Sequence, residues 1–97
     1  MTSYDLRLHH HAQNELDALP AEELDRMVST LREVAATRGV VSHKDVGKLE
    51  DTYLYRVKVG DYRALIQLRT PEVRVVAVGH RRNIYDRIST AEGRAER

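Results

Sequence analysis

The stretch Leu54-Tyr55-Arg56-Val57-Lys58-Val59-Gly60-Asp61-Tyr62-Arg63-Ala64-Leu65-Ile66 decides the fold. Apolar and polar residues alternate on both sides of Gly60-Asp61, which is the period of half-buried strands. Gly-Asp is a two-residue turn of the kind that closes a β-hairpin. With those two residues as the loop, Val59 faces Tyr62, Lys58 faces Arg63, Val57 faces Ala64 and Arg56 faces Leu65. Paired residues share one side of a sheet. One side then carries Tyr55, Val57, Val59, Tyr62, Ala64 and Ile66, and is predicted to pack on helices. The other carries Arg56, Lys58 and Arg63, with Leu54 and Leu65 nearby and no acid among the three cations.

Like charges directly opposite one another, as Lys58 and Arg63 are here, cost up to ~1 kcal/mol. A sheet that tolerates such repulsion points to a bound polyanion, because locally unfavourable choices mark functional sites. The competing reading is a solvated outer face on which long side chains splay apart. The charge distribution agrees with the first. Net charge is +1, but residues 1–47 carry 5 Lys+Arg against 8 Asp+Glu, whereas residues 48–97 carry 11 against 7. The cations are concentrated in the half of the chain that holds the hairpin.

Working outward, residues 73–79 alternate again, after a turn at Thr70-Pro71-Glu72. On simple alternation Arg81 has the parity of Val73, Val75 and Ala77, and His80 that of Arg74, Val76 and Val78. Upstream, residues 4–9 alternate as a first strand. Ala12, Leu16 and Leu19 then recur at helical spacing, and Pro20 ends that helix and opens the next. Glu22 and Glu23 suit the positive end of the second helix. Leu24, Met27, Val28, Leu31, Val34 and Ala35 form its apolar stripe, and Gly39 follows it as a C-terminal glycine. Residues 40–52 carry no period. The predicted fold is α+β: an N-terminal strand and a helical hairpin packed on one face of a mostly antiparallel four-stranded sheet. The order is β-α-α-β-β-β with a short C-terminal tail, in a single domain over residues 1–97.

Composition removes several classes of function. The chain has 97 residues and no cysteine, which excludes a disulfide scaffold, a zinc–thiolate site and a cysteine nucleophile. No apolar run reaches the ~18 residues of a membrane span. No secretory signal core opens the chain, so the cytoplasm is the expected location and no membrane partner is expected. His9, His10 and His11 cross from strand to helix and are expected to point in different directions, with no supporting ligand at metal spacing. No metal or cofactor is expected. Lys48 either joins the basic rim or is a plain solvated lysine. Tyr85, a few residues past the last strand, either stacks on a base beside the cations or lids the sheet edge.

The words Lys48-Leu49-Glu50, Leu54 through Ile66, Val76-Ala77-Val78-Gly79-His80-Arg81 and then Tyr85 resemble the RelE/ParE superfamily of type II toxins, and more closely its RelE branch. The resemblance covers nearly the whole chain in element order. It implies a ribosome-dependent endonuclease that cuts mRNA in the decoding site, neutralised by a cognate antitoxin protein. Its partners would be that antitoxin, the ribosome and mRNA. The family's basic pair falls on Arg56 and Lys58, its following arginine on Arg63, its strand-closing arginine on Arg81 and its C-terminal tyrosine on Tyr85. Lys48 and Arg82 are the accompanying RNA-contact candidates. Where the family often has two lysines, this chain has Arg56 first, and arginine does not give up its proton in proteins. Arg56 is therefore an electrostatic clamp.

With no metal site evident, the RNA 2′-OH is the natural nucleophile. The candidate base is Lys58, His80 or a ribosomal group. Arg81 or His80 would serve the leaving oxygen. The competing functions are a ParE-like toxin that inhibits DNA gyrase without nuclease activity, and a catalytically weak module that binds the antitoxin and helps repress its operon.

Overall fold

The computed structural model describes residues 4–96; of the domain read over 1–97, residues 1–3 and 97 lie outside the described residues. The chain runs β1 (Asp5–Leu8), α1 (His10–Asp17), α2 (Ala21–Ala36), a 3-10 turn at Val40–Ser42, β2 (Val46–Lys48), β3 (Leu54–Val59), β4 (Tyr62–Arg69), β5 (Glu72–His80), a second 3-10 turn at Ile84–Arg87, and α3 (Ile88–Ala95). One sheet has the order β1-β5-β4-β3-β2. β1 is parallel to β5, and every other pairing is antiparallel.

The α+β class and the helical hairpin are as expected, and two expectations are corrected. The sheet has five strands, because Val46–Lys48 pairs with β3, Gly47 opposite Arg56. Three residues with a central glycine are too short to show a period. The C-terminal segment is not a free tail. Ile84, Ile88, Ala91 and Ala95 recur at helical spacing and pack on the sheet face opposite the hairpin. The two that α3 buries fully are alanines, Ala91 and Ala95, a weak hydrophobic signal in sequence.

The two faces therefore have two cores. Under α1 and α2 lie Leu16, Met27, Leu31, Val34, Val57, Ala64, Ile66, Val73 and Val75. Under α3 lie Leu54, Leu65, Val76 and Ala77. Leu54 and Leu65, which the sequence leaves beside the cations, are fully buried. Burying each such side chain contributes on the order of 2 kcal/mol. The cationic face is thus half covered by α3, and only its β2–β3 side and the turn end remain open.

Candidate functional site

The hairpin register is the one read from the sequence: Lys58 opposite Arg63, Arg56 opposite Leu65, Val59 opposite Tyr62. Of the two turn residues only Gly60 has a positive φ (+58°), the backbone that glycine adopts without a Cβ penalty. Arg56, Lys58 and Arg63 share the face that α3 partly covers. None of the three makes an ion pair with an acid among the described residues. Arg56 lies across β2: a Cβ built on Gly47 would meet its Cζ and Nη2 at 3.1 Å. Arg63 is held from the turn, its Nη1 donating to the carbonyls of Gly60 (2.8 Å) and Tyr62 (3.0 Å).

β5 does not obey simple alternation. Leu65 pairs with Ala77 but Ile66 pairs with Val75, so Val76 is an extra residue at a β-bulge. A bulge turns one residue out of the ladder and reverses the parity beyond it. Val73 and Val75 consequently share the helical-hairpin face with Val78 and His80, while Ala77 and Gly79 belong to the cationic face. Alternation past the bulge then brings Arg81 to the side of Arg63, whose strand partner is Gly79. The parity read from sequence grouped Arg81 with Val73 and Val75, and the bulge corrects it.

Arg81 sits at the turn end of that face. Its N–H donates to the Asp61 carbonyl at 2.7 Å, and its Nε stands 3.4 Å from Asp61 Oδ1. His80 goes the other way. It pairs with Tyr62, meets that ring edge-on at 5.4 Å, and its Nδ1 accepts the Arg82 N–H at 3.1 Å. His80 is therefore separated by the sheet from Lys58 and Arg63. Arg82 is exposed on the following turn. Tyr85 is 40% exposed on the 3-10 turn that crosses the cationic face. Its neighbour Ile84 is fully buried and packs over Gly79, where a Cβ would meet Ile84 Cδ1 at 3.2 Å.

Lys48 does not join the cationic rim. It pairs with Tyr55, stands 5.9 Å over that ring, and donates to the carbonyls of Leu49 and Thr52. The three histidines do not diverge either. Their rings cluster: His9 stacks on His10 and on His11, with centroids 4.4 and 5.5 Å apart, and His10 and His11 lie 4.1 Å apart, tilted by 40°. Burial, with His10 beside it, holds His9 below the usual histidine range.

Sequence reasoning missed a cluster that joins the chain ends. Glu15 on α1 accepts the Val78 N–H at 3.0 Å and ion-pairs with Arg87 and Arg94. Burial pushes its carboxyl up, but the Val78 N–H and the two guanidiniums outweigh that and hold it below the usual carboxylate range. No period or motif connects these three residues in sequence.

This fold, a helical hairpin on one face of a small mixed sheet, is that of solved RelE structures. The chain superposes on a double arginine-to-alanine mutant of the E. coli toxin RelE in the free state with a TM-score of 0.75, at 19% identity over 97% of this chain and 98% of that one. Two chains from antitoxin–toxin complexes are similar. The RelB–RelE complex of Methanococcus jannaschii matches with a TM-score of 0.68, at 22% identity over 82% and 95% of the two chains. The RelE–RelB complex of Pyrococcus horikoshii OT3 also matches at 0.68, at 24% identity over 82% and 97%. No curated protein sequence matches significantly. The sequence model described as "ParE toxin of type II toxin-antitoxin system, parDE" matches residues 6–85. The chain belongs to this family, within the RelE/ParE superfamily of type II toxins. No helix among the described residues is long and apolar enough to cross a membrane.

Proposed function

We propose that this toxin is a ribosome-dependent endoribonuclease that cuts mRNA through attack by the RNA's own 2′-OH. The observation that supports it most is Lys58 directly opposite Arg63 on an open face that also carries Arg56, with Arg81 at its edge and no acid paired to the first three. In this reading Lys58, as the neutral amine, takes the 2′-OH proton. The 2′-oxygen bonds to the adjacent phosphorus and the P–O5′ bond breaks, leaving a 2′,3′-cyclic phosphate and a 5′-OH. Arg56 and Arg63 stabilise the charge that grows on the phosphoryl oxygens. Arg81 donates a hydrogen bond to the leaving 5′-oxygen, which collects its proton from solvent. Tyr85 stacks on a neighbouring base and aligns the attack. Arg82 lies outside this core as a further phosphate contact. His80 is not the base in this reading, since it lies on the Tyr62 side of the sheet.

The chain works in the cytoplasm as one domain. A cognate antitoxin covers it, as in the RelB–RelE complexes it resembles. Two clefts of about 440 and 290 Å³, which share Arg26 and Gly60 between α2 and the β3–β4 turn, give an amphipathic segment of such a partner a place to dock, while its acids would meet the basic face beside them.

The family description itself favours a second reading, inhibition of DNA gyrase by binding, because the matching sequence model is that of the ParE toxin. Induced expression followed by mapping of mRNA 5′ ends separates the two. New 5′ ends at fixed positions within translated codons support the nuclease. Intact mRNA together with relaxed plasmid DNA supports gyrase inhibition and overturns it.

A further inference from the structure

Arg63 and Arg81, two of the three arginines that act on the RNA in this reading, are both anchored to the β3–β4 turn. Arg63 is tied to it through neutral carbonyls. Arg81 is tied to it through a charge: its backbone N–H binds the Asp61 carbonyl, and its guanidinium faces the Asp61 carboxylate at 3.4 Å. Among the described residues this is the one acid paired to any cation of the set. The contact is open to water, with the two side chains 52% and 67% exposed, so a second anion can reach it and displace it.

We infer that Asp61 is a built-in competitor for the phosphate: its carboxylate holds the Arg81 guanidinium at the rim in the free toxin, and RNA engages Arg81 by displacing it. The inference rests on the nuclease reading of the cationic face and adds a residue to it. A carboxylate presents oxygens to a guanidinium much as a phosphate does. In the free chain it keeps Arg81 from folding away, and it raises the threshold for anions that cannot also engage Arg56, Lys58 and Arg63. The backbone bond from Arg81 to the Asp61 carbonyl is independent of the side chain. Asp61→Asn therefore keeps the anchor and the turn while removing the charge.

The test uses the full chain and a 2′-O-methylated single-stranded RNA oligonucleotide, which cannot be cut, with binding read by fluorescence anisotropy over a range of salt. Asp61→Asn is expected to tighten binding about two- to fivefold, the scale of one exposed ion pair, with the gain shrinking as salt rises. Glu22→Gln, an equal change of net charge on the exposed start of α2, is expected to give less than half of that gain. In an Arg81→Ala background the gain from Asp61→Asn should vanish, and Asp61→Glu should bind as the wild type does.

An unchanged affinity in Asp61→Asn, a gain matched by Glu22→Gln, or a gain that survives Arg81→Ala would each overturn the inference while leaving the nuclease reading standing. A wild type whose binding is indifferent to Arg56→Ala, Lys58→Ala and Arg63→Ala alike would overturn the reading of the face, and the inference with it.

Discussion

Glu15 and Arg94, separated by 79 positions in the chain, meet at the bulge of β5, with Arg94 Nη1 3.0 Å from Glu15 Oε2. β1 stops pairing at Val75. Beyond it, Glu15 takes the Val78 N–H and Arg94 the Val76 carbonyl, each at 3.0 Å. Two side chains thus satisfy backbone groups that a longer β1 would otherwise have paired, and they tie α1 to the C-terminal helix in doing so. Unpaired, such groups would cost about 1–3 kcal/mol each.

Glu15→Ala should therefore lower stability by about 2–3 kcal/mol, through the freed Val78 N–H and the two unmatched guanidiniums. Urea unfolding of the two proteins under identical conditions measures it. A difference below about 0.5 kcal/mol, the range of an ordinary surface change, would show that the cluster does not hold the chain ends together.

The same carboxylate sets a pH dependence. Its folded-state pKa is lowered, so its contribution is fully present above the ordinary glutamate value of about 4.3 and is lost as pH falls through the lower folded value. Thermal melting of wild type and Glu15→Gln should differ at neutral pH and converge in acid. A gap that widens on acidification would contradict the sign.

Gly47→Ala should separate binding from stability. Its Cβ would meet only the end of the Arg56 side chain, which can move, so unfolding free energy should stay within about 0.5 kcal/mol. Cleavage on programmed ribosomes should nevertheless fall, because the guanidinium is pushed from its place across β2. Wild-type cleavage rates in this variant would remove Arg56 from the site.

Gly79→Ala should lower stability. Its Cβ would meet the buried Ile84 at 3.2 Å, and overpacking of this kind costs about 1–3 kcal/mol. The segment carrying Tyr85 should lift with Ile84. Faster amide exchange confined to residues 84–95 is the expected signature, and an unchanged exchange pattern would count against it.

Arg63→Ala, Arg81→Ala and Lys58→Ala should each lower ribosome-dependent cleavage by at least about 100-fold, the usual loss for one group acting in the transition state. Circular dichroism and melting should show a retained fold. Full cleavage by any of the three would take that residue out of the mechanism.

The hairpin was legible in sequence because a two-residue turn fixes the pairing of every residue beside it, and Lys58 opposite Arg63 follows from counting alone. The helical hairpin was legible for the same kind of reason, since the stripe from Leu24 to Ala35 and the break at Pro20 are local signals. The site divided along that line. Arg56, Lys58 and Arg63 could be assigned to one face from the sequence, because their register depends on contacts only a few residues away. Tertiary structure decided the rest. The bulge at Val76 is a shift in backbone pairing that no residue type announces, and it alone sends Arg81 toward Arg63 and His80 toward Tyr62. The pairing of Arg81 with Asp61 required β4 and β5 to align at their ends. The meeting of Glu15 with Arg87 and Arg94, and the burial of Leu54 and Leu65 beneath a helix whose buried residues are two alanines, required both ends of the chain to close on one sheet. Short loops close at little entropic cost and leave local patterns in the sequence, whereas contacts between distant segments are selected only by how the assembled faces pack.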